Sequence, residues 1–214
     1  MRKTSYAIAF VLVAATLALN ILAARSNDWF VVKGEDILGT KYTVRYGLME
    51  RCEATSINIP GSNGKVTYSD YQCRPFPASV TDRCEKNNRF FCTAWTSAGY
   101  VEELGIGFGA IALLSLIFGV STHSRRLRIW KAVAGLVALH ALFPMITFAV
   151  VTDLYRTSKF SGFDHARPSF AYYLSIVSWA VAFGISFGVV LTGVSARKGH
   201  RWAAGNRAYA PIEG

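Results

Sequence analysis

Apolar and polar positions along the chain separate into four long apolar blocks divided by polar segments of very unequal length. The blocks are Tyr6 to Ala24, Leu104 to Val120, Ala132 to Val151 and Phe170 to Val194. Each has about 17 to 25 residues, the length a helix needs to cross a hydrocarbon core about 30 Å thick. No Asp, Glu, Lys or Arg interrupts any of them. One charge at the centre of a span costs roughly 2.5 to 3.5 kcal/mol on insertion scales, while each Leu, Ile, Phe or Val returns about 0.3 to 0.6. The blocks therefore read as helices in lipid, where a strand or loop would leave backbone amides unpaired.

This reading divides the chain into residues 1–5, a first helix over 6–24, a long loop over 25–103, a second helix over 104–122, a short basic loop over 123–131, a third helix over 132–152, a second loop over 153–169, a fourth helix over 170–195 and a tail over 196–214. The tail, with Gly199, Gly205 and Asn206 and no apolar period, is expected to be disordered. An apolar run after Arg2 and Lys3 also fits a secretory leader, but about 19 residues exceeds the usual 7 to 15, and Leu22-Ala23-Ala24 makes a poor cleavage site. An uncleaved helix is expected.

The long loop alternates strand-like runs with turn formers. Runs at Trp29 to Lys33, Tyr42 to Cys52, Val66 to Arg74 and Arg89 to Thr96 are divided by Gly34 and Gly39, by Pro60-Gly61-Ser62-Asn63-Gly64, and by Pro75 and Pro77. Four antiparallel strands satisfy this pattern. So small a sheet has little core of its own, and all four cysteines of the chain, Cys52, Cys73, Cys84 and Cys92, lie in this loop. Structural disulfides in an oxidising compartment follow. Four cysteines permit three connectivities. Cys52 with Cys73 and Cys84 with Cys92 is favoured, since each pair would clamp neighbouring strands or a short turn. Metal ligation is disfavoured: no C-x-x-C occurs and His123, His140, His165 and His200 all lie outside the loop.

Charge sets the orientation. The formal net charge is +10. Nearly all of it sits in Arg2 and Lys3, in Arg125, Arg126, Arg128 and Lys131, and in Arg197, Lys198, Arg201 and Arg207, against Glu213 alone, while the long loop holds basic and acidic residues in equal number. By the positive-inside rule that basic side faces the cytosol, with both termini, and the cysteine loop faces outward. The high pI is thus topological, and nucleic acid is not an expected partner. Anionic lipid could be drawn to Arg125, Arg126 and Arg128.

The succession Trp29, Tyr46-Gly47-Leu48-Met49, Cys52 and Cys73 resembles the first-loop signature of the claudin and peripheral-myelin-protein-22 superfamily, with Met49 where that signature has a second Trp and with Cys84 and Cys92 as an additional pair. Fungal claudin-like membrane proteins are similar in layout. The resemblance implies a four-helix transmembrane bundle with a small disulfide-braced antiparallel sheet in the first extracellular loop, in which Trp29, Gly47 and Leu48 carry the signature and Trp29 seats the loop on the bilayer rim. Trp29 also suits a membrane interface on composition alone.

Within the spans, Ala180, Gly184 and Gly188 form a small-residue stripe on helix four, expected to pack inside the bundle or to mediate self-association. Gly105, Gly107 and Gly109 open helix two. His140 and Pro144 lie mid-helix three; His140 is expected to be hydrogen-bonded across a helix interface and Pro144 to bend the helix.

Function is expected to be non-enzymatic. Spans free of acids supply no proton-coupled carboxylate, paired histidines for haem are absent, and no outer C-x-x-C offers thiol redox chemistry. No catalytic residue, cofactor or metal is assigned. The expectation is a plasma-membrane organiser or cell-contact protein whose partners are the bilayer and other membrane proteins, or itself, through helix four and the first loop. An auxiliary or pore-forming channel subunit is the alternative.

Overall fold

The computed structural model describes residues 3–35, 41–58, 67–85, 87–121, 123–157 and 160–204. Gly39, the Pro60 to Gly64 turn and the tail from Gly205 lie outside these residues, as do the side chains of Arg125, Arg126 and Arg128. In chain order the elements are α1 (Lys3–Arg25), β1 (Phe30–Glu35), β2 (Lys41–Tyr46), β3 (Glu50–Asn58), β4 (Thr67–Pro75), α2 (Arg89–Ser121), α3 (His123–Arg156), a 3₁₀ turn (Ser161–Phe163), β5 (Arg167–Pro168), α4 (Phe170–Arg197) and α5 (Arg201–Ala204). Helices α1 to α4 are long and apolar enough to cross a membrane, which fits an integral membrane protein.

Three local expectations are corrected. Arg89 to Thr96 is the start of α2 and not a strand. Phe91, Trp95, Ala98 and Glu102 recur at helical spacing and all four are buried, so the segment has one interior face as a helix, which a period of two would have split. Tyr42 to Cys52 is two strands, β2 and β3, folded back at Gly47, whose N–H donates to the Glu50 carbonyl at 2.8 Å. The tail keeps helical structure through α5, with Ala203 fully buried.

The chain forms two compact units. The first comprises Met1–Asn20, Glu103–Met145 and Val177–Gly214, and the elements among its described residues are all helices. Its interior is small and aliphatic: Val13, Ala112, Leu116, Val133 and Val137 are all completely buried. Close approach comes from glycine. A Cβ on Gly105 would lie 2.8 Å from the Pro144 ring and one on Gly109 would lie 2.6 Å from His140 Nδ1, so this pair on α2 receives the corresponding pair on α3.

The second unit comprises Ile21–Glu102 and Ile146–Ile176. Its sheet has the order β4-β3-β2-β1-β5, all antiparallel, with the fifth strand supplied by the second loop: Phe30 pairs with Pro168 and Val31 with Arg167. Beneath it lies an aromatic core. Trp29, Phe30, Tyr46, Phe76, Phe91, Trp95, Phe160 and Phe163 are each 5% exposed or less, and they come from β1 and the residue before it, β2, the residue after β4, the start of α2 and the second loop. The ring of Phe91 stacks on Phe160 at 4.6 Å and Phe30 on Tyr155 at 4.8 Å. Each buried ring is worth about 1.5 to 3 kcal/mol in removed apolar surface. This core seats the sheet on those turns of the four helices that belong to the same unit.

Candidate functional site

The residues that carry the loop signature converge at the start of the sheet. Trp29 is completely buried, and its indole N–H donates to the Ala23 carbonyl at 2.8 Å, one of the carbonyls that the end of α1 leaves open. Its ring meets Tyr172 edge-on at 6.4 Å. Trp29 therefore holds the loop to α1 from inside the protein. The expected seat on the bilayer rim is corrected, because a residue with no exposed surface meets neither lipid nor a partner.

Gly47 is required by close backbone approach. A Cβ there would fall 2.7 Å from the Ser26 carbonyl and 2.9 Å from the Asn27 Cα, and neither can move without displacing the end of α1. Leu48 is buried and its carbonyl accepts from the Trp95 indole at 3.2 Å. Trp95 is the partner that a strand reading of its segment concealed.

Both disulfides lie in this unit. Cys52 and Cys73 face each other directly across β3 and β4, with Cα atoms 4.0 Å apart. Cys84 joins Cys92 in the first turn of α2. On the chain-entropy account, closing loops of 21 and 8 residues contributes about 3 and about 2.5 kcal/mol.

Between the bridges lies a hub that the sequence did not suggest. Asp82 has a side chain only 1% exposed, and both its oxygens receive Arg74 at 2.7 Å, while the Ala78 N–H donates to Oδ2 at 2.7 Å. Arg51 stands 3.8 Å away. Burial alone would raise the Asp82 pKa, but the hydrogen bonds from Arg74 and Ala78 and the charges of Arg74 and Arg51 outweigh it and hold the carboxyl below its usual range. The segment from Ala78 to Asn88 is thereby fastened to β4, with Asn88 Nδ2 donating to the Asp82 carbonyl at 2.8 Å.

Inside the helical unit, His140 is fully buried. Its Nδ1 lies 2.8 Å from the Gly105 carbonyl and its Nε2 3.3 Å from the Thr16 hydroxyl. A carbonyl only accepts, so Nδ1 donates in the Gly105 contact, while the Thr16 hydroxyl donates to the Val13 carbonyl at 3.0 Å. The Ser178 hydroxyl donates to the Thr16 carbonyl at 2.9 Å. One polar thread thus links α4, α1, α3 and α2, and His140 is a structural tie within it.

Gly184 and Gly188 do not pack inside the unit. A Cβ on either would meet nothing within 4 Å. They line an apolar groove of about 480 Å³ with Ile8 and Leu12 of α1 and Val181 and Val189 of α4. The close-packed glycines of this unit are Gly105, Gly109, Gly119 and, further along α4, Gly193, whose Cβ positions each lie under 3 Å from a neighbouring side chain, whereas the Gly184 face meets nothing.

The apolar blocks themselves carry no acid, but α2 extends well beyond its block. Starting at Arg89, the second apolar helix contains Glu102 and Glu103. Glu102 is fully buried and neither carboxyl oxygen has a hydrogen-bond partner among the described residues, the neighbouring Thr147 hydroxyl donating to the Ala98 carbonyl at 2.9 Å. The apolar block begins at Leu104, two residues after Glu102, whereas the helix begins at Arg89.

No family model matches this chain, and no curated protein is similar to it.

Proposed function

We propose that this chain is a claudin-like, non-enzymatic four-span protein of the plasma membrane, with both termini in the cytosol, that organises membrane domains or cell contacts through its first loop. The observation that carries this reading is the build of that loop: four strands, joined by a fifth from the second loop, with two disulfides and a shared aromatic core, make a rigid platform out of what would otherwise be a long connector. Platforms of this kind hold a surface in fixed geometry for another molecule. Cystine chemistry belongs to an oxidising compartment, and the basic residues of the other loops belong to the cytosolic side.

The test is topology followed by contact. An epitope in the β3–β4 connection of the full chain should be reached by antibody on intact cells, and one after Ala204 only after permeabilisation. Cells expressing the chain should then cluster, or gather the protein into stable surface patches, more than cells expressing a Cys52→Ser, Cys73→Ser variant. A cytosolic first loop, or patches indifferent to the bridge, would overturn the proposal.

A further inference from the structure

On one face of the sheet, next to the outer ends of α1 and α4, lies a basin of about 650 Å³ whose lining includes three cations, Lys33, Arg45 and Arg167. Its floor is a single cross-strand row. Val31 of β1 stands directly opposite Arg45 of β2 on one side and Arg167 of β5 on the other, so all three side chains share a face. Lys33, two residues beyond Val31, points to that same face. Arg45 and Arg167 are two strands apart, about 10 Å between backbones, which leaves a gap between two guanidinium groups above a short apolar side chain.

Like charges on one face repel, and among the residues that line the basin Asp28 alone is acidic. Asp28 takes Arg45 through both oxygens at 2.9 and 3.0 Å. Neither Lys33 nor Arg167 has an ion-pair partner among the described residues. The rim adds further donors, the Ser169 hydroxyl and the His165 imidazole, and His165 is held at φ 65°, a left-handed backbone uncommon outside glycine. A pocket with forked donors, an ammonium and hydroxyl donors, and little acid to fill it, has the chemistry of an oxyanion site.

Its level in the fold narrows the source. Asp28 follows the last residue of α1 by three positions, and Ser169 immediately precedes α4. The first turn of α4 presents Phe170 and Tyr173, 66% and 56% exposed, in the manner of the aromatic belt at a membrane interface. The basin is therefore at headgroup depth.

We propose that the basin formed by Lys33, Arg45 and Arg167 binds a phosphate-type oxyanion, carried by an anionic lipid headgroup or by a free phosphate. It depends on the outer-loop reading only for which leaflet it meets. Its chemistry stands on the sheet alone, so a failed titration counts against the basin and leaves the proposed topology and contact role standing.

The experiment uses the full chain with both disulfides intact. In one arm, inorganic phosphate is titrated calorimetrically into the protein in uncharged maltoside micelles. In the other, nanodiscs of phosphatidylcholine with one fifth phosphatidic acid are opened in the mass spectrometer and retained lipid is counted. Saturable binding in either arm is expected, weakened about tenfold by Arg167→Gln or Lys33→Gln, less by Arg167→Lys, which keeps charge but loses the fork, and unchanged by Arg89→Gln outside the basin. Added salt should weaken it further. Phosphate binding in micelles would assign a soluble source, and retention of phosphatidic acid alone a headgroup. Should Arg167→Gln fail to fold, Lys33→Gln reads the same loss. The proposal is overturned if neither probe saturates, or if well-folded variants bind like the parent.

Discussion

In the helical unit, interior contacts are glycine against side chain and hydroxyl against carbonyl. In the sheet unit they are ring against ring, with two covalent bridges and a half-buried ion pair. The difference follows from the solvent each unit leaves behind. Lipid is as apolar as leucine, so apolar surface gains nothing by moving from lipid to protein, and helices associate through close approach and a few hydrogen bonds. Water outside the membrane supplies the driving force that lipid lacks, and the aromatic core under the sheet uses it. A small sheet still buries too little, so disulfides remove entropy from its unfolded state.

The contrast predicts a ranking of damage. The largest loss should follow Trp95→Ala, which empties the centre of the aromatic core and frees the Leu48 carbonyl: about 3 to 5 kcal/mol, read as a lowered midpoint of near-ultraviolet dichroism in thermal scans. A cost below about 1 kcal/mol would mean that the rings do not form one core.

Next is opening the Cys52–Cys73 bridge, expected to remove about 3 kcal/mol from the sheet unit while helix content persists. Loss of helix signal at the same reductant concentration would show that the two units do not separate thermodynamically.

Third is the Asp82 hub. Its native pKa lies below the unfolded value, so its contribution is fully present above the ordinary carboxylate range near pH 4 and is lost as pH falls through the native value. Roughly 2 kcal/mol of sheet stability should disappear on acidification, and Asp82→Asn should be less stable at neutral pH yet no longer respond to acid. An unaltered acid transition in that variant would place the sensitivity elsewhere.

Fourth, His140→Leu should cost about 1 kcal/mol, the usual worth of a hydrogen bond between membrane helices, measured as a shift in unfolding by a denaturing detergent. The smallest effect belongs to Gly188→Leu, within about 0.5 kcal/mol, since open space surrounds that position. Gly109→Leu, aimed at the His140 ring, should be clearly worse; equal costs would erase the distinction between the two glycine faces.

Some of this was legible along the chain and some was not, for identifiable reasons. Four apolar blocks without charges state their solvent directly, and alternating runs with turn formers announced most of the sheet. Arg89 to Thr96 misled because Phe90, Phe91 and Trp95 favour strands by composition, while the helical face completed by Ala98 and Glu102 continues past the polar boundary. β5 was invisible because two residues, Arg167 and Pro168, carry no period; they are a strand only because β1 offers its edge. Gly47 and Leu48 could be singled out by their pattern, but the reason for Gly47, the nearness of Ser26 and Asn27, is a contact between segments and has no local trace.

Hydropathy, charge and cysteine placement alone determined that the chain has four membrane-length helices and a bridged loop, because solvent preference is a property of each residue and adds along the sequence. Which glycines pack, which aspartate holds the loop, where Trp29 points and where cations gather around Val31 were decided only by the tertiary structure, since each depends on what another segment places opposite.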